Sequence, residues 1–206
     1  MGSHRRGTQA GTVNAELEAA SAALRRGRLV VMPTDTVYGV GALPRSHGGV
    51  AAIFAAKNRP PDNPIPVLAA TLEDLGDVVL FDARAHSVGA ALWPGPLTLV
   101  LPRRPDWPFD VGGDSATIAV RVPSNDVARA LLERTGPLAV TSANLSGRAP
   151  AATVADARAA LGDKVAVYLD GGRCSAEPSS VVSLVGEIRM LREGALSLEK
   201  VQNVIE

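Results

Sequence analysis

Leu29-Val30-Val31-Met32-Pro33-Thr34-Asp35-Thr36-Val37-Tyr38-Gly39 is the stretch on which the fold turns. Four apolar residues in a row read as a buried strand, and the hydroxyl-rich run behind them as a polar turn at the strand's end. Upstream, Asn14 is placed to cap a helix reaching about Arg26, with Leu17, Ala20, Ser21 and Leu24 on one face and Gly27 as its stop. Downstream the alternation continues: helix over 50–56, strand over 65–69, helix over 83–92, strand over 97–101 and strand over 118–122. Ser124 is read as the cap of a helix to about Arg134, followed by a strand over 138–140 and a helix opened by a Thr153–Asp156 capping box. Strands over 165–169, 180–185 and 187–191 come next, the last two as a hairpin around Gly186, and a final helix begins at Ser197. Helices and strands that alternate without repeat or linker predict one α/β domain on a mixed sheet, with polar loops gathered where strands end.

The bulk properties agree. With 206 residues, 46% hydrophobic and 20% charged, the chain supports one core and has little room for two. Residues 13–206 are expected as that domain and residues 1–12, polar and Gly-rich with Arg5-Arg6, as a flexible tail. Lys plus Arg and Asp plus Glu are each 21, so overall charge holds no polyanion and any phosphate site must be local. Aromatics at 3% starve a stacking platform for single-stranded bases. Cys174 is the single cysteine, which excludes an intrachain disulfide and Cys-rich metal modules and fits a reducing cytoplasm. Arg, Asp, Gly or Pro interrupts every apolar run, and the start lacks the form of a secretory signal, so a soluble protein is expected.

Several familiar motifs fail. Gly39-Val40-Gly41 opens like a dinucleotide fingerprint, but Pro44 stands where its third glycine and helix are needed. Neither a Walker-type loop nor a GxSxG elbow occurs, Ser197 reads as a helix cap, and His4, His47 and His86 lack partners at ligand spacing. Three segments and one arginine remain. Lys57-Asn58-Arg59, if extended, sends two cations to one side and onto one anion such as a triphosphate; the alternative is an exposed basic loop. Thr141 to Gly147 and Pro33 to Gly39 are hydroxyl-rich loops after strands, suited to phosphate or carboxylate, or else turns held by their own side chains. Arg121 ends an apolar strand, where it must either pair in a salt bridge or face a cleft and bind a carboxylate.

Taken in order, Pro33-Thr-Asp-Thr-Val-Tyr-Gly39, Lys57-x-Arg59-Pro60, Trp93-Pro-Gly-Pro-Leu-Thr98, Val120-Arg-Val-Pro123, Ser142-Ala-Asn144-Leu-Ser-Gly147 and Leu191-Arg192-x-Gly194 resemble the YrdC-like threonylcarbamoyl-AMP synthase family over about residues 14 to 200. The resemblance implies a twisted mixed sheet flanked by helices with a large concave substrate cleft, in the short form without an extra C-terminal domain. It also implies synthesis of threonylcarbamoyl-AMP and pyrophosphate from L-threonine, bicarbonate and ATP, with Mg²⁺ on the ATP. A downstream transferase complex would use the product to modify tRNA, and RNA binding by this chain itself would be weak. Lys57 and Arg59 would be catalytic; Lys57, Arg59, Asn63, Thr117, Asn144 and Arg192 would lie near ATP, and Thr36, Arg121, Ser142 and Ser179 near threonine. Leu68, Ser180 and Ser183 depart from the family pattern. The rival readings are a paralogue acting on another nucleotide-linked substrate and a non-catalytic RNA-binding module. The larger carbamoyl-transferring relatives of hydrogenase maturation are disfavoured by the single cysteine.

Overall fold

The computed structural model describes residues 4–113 and 116–205, with side chains from Val13 onward. Strand β1 (Leu29–Met32) is buried along its whole length, as its apolar run requires. Eight further strands join it: β2 (Gly39–Ala42), β3 (Val67–Leu68), β4 (Leu97–Pro102), β5 (Thr117–Arg121), β6 (Leu138–Ser142), β7 (Val165–Tyr168), β8 (Ser180–Ser183) and β9 (Arg189–Arg192). They form one mixed sheet in the order β7-β1-β2-β6-β3-β5-β4-β8-β9. β8 and β9 make the expected antiparallel hairpin. β2 was not expected. Its glycines disguise it, and the sheet requires them: a Cβ at Gly39 would come within 2.6 Å of Val140 Cγ1, and one at Gly41 within 3.1 Å of Val140 Cγ2.

Helices α1 (His4–Arg25) and α5 (Asp126–Thr135) cover one face of the sheet over its β7-β1-β2-β6 half and reach Leu68 of β3, leaving β5, β4 and β8 bare. There Leu17, Ala20, Leu24, Leu131 and Leu132 pack on Val30, Met32, Leu138 and Val140. The opposite face carries the larger core, where Leu29, Val31, Val67, Leu97, Leu99, Val120 and Val182 meet α2 (Gly49–Lys57), α4 (Ala83–Leu92) and α6 (Val154–Leu161). Adjacent residues of β1 therefore serve different cores, the period of two written into the backbone.

α1 begins well before Asn14, which lies inside it and accepts from Arg134 Nη2 at 2.6 Å; helical backbone thus occupies much of the span expected as a tail, whose first three residues lie outside the described ones. Gly27, at φ 72°, is the stop expected for α1. Asn125 rather than Ser124 caps α5, its Oδ1 accepting from Val127 N and Ala128 N; Ser124 stands one residue further out and donates its amide to Asp35 Oδ1. The Thr153–Asp156 box on α6 and the Ser197 cap on α7 (Leu198–Gln202) are as read. A short helix, α3 (Leu72–Leu75), has its own Thr71–Asp74 box and was missed. No helix among the described residues is long and apolar enough to cross a membrane.

Candidate active site

The half of the sheet that α1 and α5 leave bare is the floor of an open cleft of about 360 Å³. Alternation selects the floor: Leu68, Thr98, Val100, Ala119, Arg121 and Val181 point into the cleft, while their chain neighbours Val67, Leu97, Leu99, Val120 and Val182 enter the core. Loops make the walls, with Thr34 to Val37 on one side, Arg59 to Pro64 and Ser142 on another, and Ser179 with Arg192 closing the far end. Of the ten residues singled out from sequence, Thr36, Arg59, Asn63, Arg121, Ser142, Ser179 and Arg192 line this cleft, and Lys57, Thr117 and Asn144 do not.

Arg121 is 5% exposed and fixed on three sides. Its Nη2 pairs with Asp35 at 2.7 Å, its Nε donates to Gly95 O at 2.9 Å, and its Nη1 donates to Thr36 Oγ1 at 2.9 Å. Burial pushes its pKa down, with nearby Arg192 adding to the effect while Asp35 opposes it. The salt bridge posed by the sequence is therefore present, and the arginine still faces the cleft. A guanidinium has five N–H donors; three are engaged here and Nη2 is buried, so a free donor toward the cleft can come only from Nη1. Asp35 anchors the turn after β1 as well, its Oδ1 accepting from Ser124 N. Thr34 locks the same turn through Thr36 Oγ1 at 2.9 Å and Val37 O at 2.6 Å.

At the far end the Thr98 and Ser179 hydroxyls share a hydrogen bond of 2.9 Å, and Arg192 donates to Ser179 O at 2.7 Å and to Ser179 Oγ at 3.0 Å. Ser180, one of the departures from the family pattern, staples the next segment by donating to Leu196 O and accepting from Leu196 N. Close approach here requires Gly194: a Cβ on it would strike Pro178 O and come within 2.7 Å of both Ser179 C and Ser180 N, all backbone atoms that cannot swing away. Gly194→Ala is accordingly expected to cost roughly 1 to 3 kcal/mol by overpacking and to loosen Arg192 from Ser179. Thermal melts and an ATP titration check this, and an unchanged melt with unchanged affinity would exclude the close contact.

Lys57 departs most from its sequence reading. It closes α2 instead of lying in an extended loop, and Asn58 behind it is left-handed at φ 50°, so Lys57 and Arg59 diverge. Lys57 is 1% exposed; its Nζ donates to the carbonyls of Ser142 and Asn144, and its own carbonyl accepts from Ser146 N. Burial, with Arg59 repulsion behind it, pulls its pKa from 10.5 to about 8. Asn144 donates to Leu145 O and Arg148 O and leaves its buried Oδ1 without a partner among the described residues. Arg59 folds over its own loop onto Asn63 O, Asn63 Oδ1 and Pro64 O. Thr117 is on the cleft face of β5, two residues beyond Ala119 and outside the lining. Asp35, Thr34 and Thr98 were passed over, although the quoted motifs contain them; an acid three residues past a strand gives no sign of its partner 86 positions away. Cys174 lies outside the lining, and burial raises its thiol pKa, so it is no ready nucleophile.

The site is thus a ligand cleft on the bare face of an α/β sheet, rimmed by arginines and hydroxyls, which is the dress of an enzyme handling phosphorylated or carboxylated substrates. Residues 22–194 match the Sua5/YciO/YrdC family model, described as "Telomere recombination". A Mycobacterium tuberculosis relative is 42% identical over 186 residues, covering 89% of this chain and 86% of its own length. The threonylcarbamoyl-AMP synthase of Idiomarina loihiensis is 36% identical over 173 residues, covering 81% of this chain and 91% of its own. Among solved structures, Pyrococcus abyssi Sua5 complexed with L-threonine superposes with a TM-score of 0.87 at 36% identity, over 92% of this chain and 57% of that one. The chain belongs to the Sua5/YciO/YrdC family.

Proposed function

We propose that this protein is a threonylcarbamoyl-AMP synthase, a nucleotidyltransferase that condenses L-threonine, bicarbonate and ATP into threonylcarbamoyl-AMP and pyrophosphate. The observation that carries the reading is the meeting, in one cleft, of the Arg121–Thr36–Asp35 cluster with Arg59 and Arg192. Likeness to relatives bearing that name, and to one solved with L-threonine, supports it. In this reading Arg121 faces the threonine carboxylate through Nη1 while Thr36, Ser142 and Ser179 surround its polar groups. Arg59, Asn63, Arg192 and, from the rear, Lys57 with Asn144 serve the nucleotide; Thr117 is the outermost of the set. In the same reading Mg²⁺ comes bound to the ATP phosphates, as part of that substrate.

The threonine amine and bicarbonate give a carbamate and water, the N–C bond forming as a C–O bond of bicarbonate is lost; a carbamate oxygen then attacks the α-phosphorus, the bond from that phosphorus to the bridging oxygen breaks and pyrophosphate leaves. The protein holds nucleophile and phosphorus in line and stabilises charge on the departing oxygens. The acyl-adenylate product is consumed by an acyl-transfer reaction on tRNA, performed by a separate transferase in the same cytoplasmic compartment. Incubation with ATP, L-threonine and bicarbonate is expected to release pyrophosphate and an adenylate that decays to AMP, with release abolished when either co-substrate is left out. ADP and phosphate as stoichiometric products would refute the α-attack, and release indifferent to threonine would favour another nucleotide-linked substrate.

A further inference from the structure

Behind the cleft lies a second cavity of about 300 Å³ that the proposed reaction does not use. Its walls are largely apolar, with Leu72, Ala90, Trp93 and Val122, and three ionisable side chains reach it: Arg129 from α5, Glu73 from α3 and His86 from α4. Arg129 makes no side-chain hydrogen bond and no ion pair with any described residue, and its Nε is buried without a partner. Arg129 and Glu73 thus share one small cavity without forming an ion pair, although each lacks any other ion-pair partner among the described residues. Arg129 as a whole is half-buried, and Glu73 and His86 are exposed at the rim, but an Nε–H held out of water beside an apolar wall is costly unless something supplies it with an acceptor. Trp93 is fixed as part of that wall, its indole Nε1 donating to Leu97 O at 2.7 Å.

One cation, one anion held apart from it and an apolar wall between α3, α4 and α5 are the complement of a small zwitterion. We propose that this cavity is a second ligand site for an α-amino acid with an apolar side chain. The carboxylate takes Arg129, the ammonium takes Glu73 and the side chain lies against Trp93, Leu72 and Val122. A partition separates the site from the cleft, and the same backbone serves both sides. Val122 and Pro94 face this cavity while Arg121 faces the cleft; Gly95 N donates to Val122 O, and Gly95 O accepts from Arg121 Nε. Leu68 on the cleft side and Ala70 on this one stand two residues apart in the same partition.

L-leucine is the probe, used without ATP or threonine so that the result is independent of the synthase reading. In calorimetry and in the ¹⁵N spectrum of the full chain, L-leucine at millimolar concentration should bind and shift the indole resonance of Trp93 but not that of Trp107. Arg129→Gln and Glu73→Gln, which lie outside the cleft, should each weaken it about tenfold, the loss of one charged hydrogen bond. Isocaproate, lacking the ammonium, should bind wild type more weakly than L-leucine and be insensitive to Glu73→Gln; isoamylamine, lacking the carboxylate, should be insensitive to Arg129→Gln. Absence of a Trp93 shift overturns the proposal. Leucine binding that survives both substitutions and is displaced by L-threonine also overturns it, because that ligand then occupies the cleft.

Discussion

Arg121→Ala should lower stability by about 3 to 5 kcal/mol, because it abandons the buried Asp35 carboxylate and removes the donor to Gly95 O and Thr36. For a chain of this length each kcal/mol moves the melting temperature by roughly 2 to 4 °C, so a fall of about 6 to 20 °C is expected. The double variant Asp35→Ala/Arg121→Ala should recover part of the loss, since it removes the orphaned charge along with its partner. Additive losses would mean that the two residues do not act as a pair. Arg121→Lys keeps the charge without the planar fork, and it should weaken threonine binding well before ATP binding. Calorimetry on the two ligands separates these effects, and loss of ATP affinity alone would move Arg121 to the other substrate.

Lys57→Met should cost both folding and chemistry. Its ammonium satisfies the buried carbonyls of Ser142 and Asn144, and an orphaned buried acceptor costs about 1 to 3 kcal/mol. Turnover should fall further than stability, by roughly two to three powers of ten, as when a preorganised charge stabiliser is removed. The pH dependence tests the burial directly. Lys57 has a pKa of about 8 in the folded chain against 10.5 unfolded, so between those values the unfolded state binds more protons and stability rises with pH. The penalty of the buried charge is fully present below about pH 8 and relieved by about pH 10.5. In Lys57→Met this rise should vanish. In wild type, a triphosphate near the ammonium should pull its pKa back up, so ATP binding near pH 8 should take up protons. Equal enthalpies of ATP binding in buffers of different ionisation heat would refute that linkage.

The architecture was legible where one signal ruled. An apolar run, a Thr–Asp capping box or a glycine stop each has a local cause, and each is found where the sequence places it. β2 was not legible, because a strand of alternating glycines is dictated by Val140 on a neighbour about a hundred residues away. For the same reason the site was read as segments and not as a network. The composition of the Pro33–Gly39 loop marks it as polar, yet only the β2-β6-β3-β5 order of the sheet brings Arg121 to Thr36 and Asp35. The Lys57–Arg59 reading assumed extended backbone; Lys57 instead closes α2 beneath the neighbouring loop, and a single left-handed residue at Asn58 turns Arg59 away from it.

The half-bare sheet has a thermodynamic corollary. Where α1 and α5 stop, the strands β5, β4 and β8 present Ala119, Val100 and Val181 to the cleft, an area that a third helix would shield in a sheet clad on both sides. Bound substrates take that helix's place and become a temporary element of the architecture. Their occupancy stabilises the fold by mass action, so the substrate-starved protein is also the protein most exposed to unfolding and proteolysis. Supply of its substrates would then govern how long each molecule lasts as well as how fast it works.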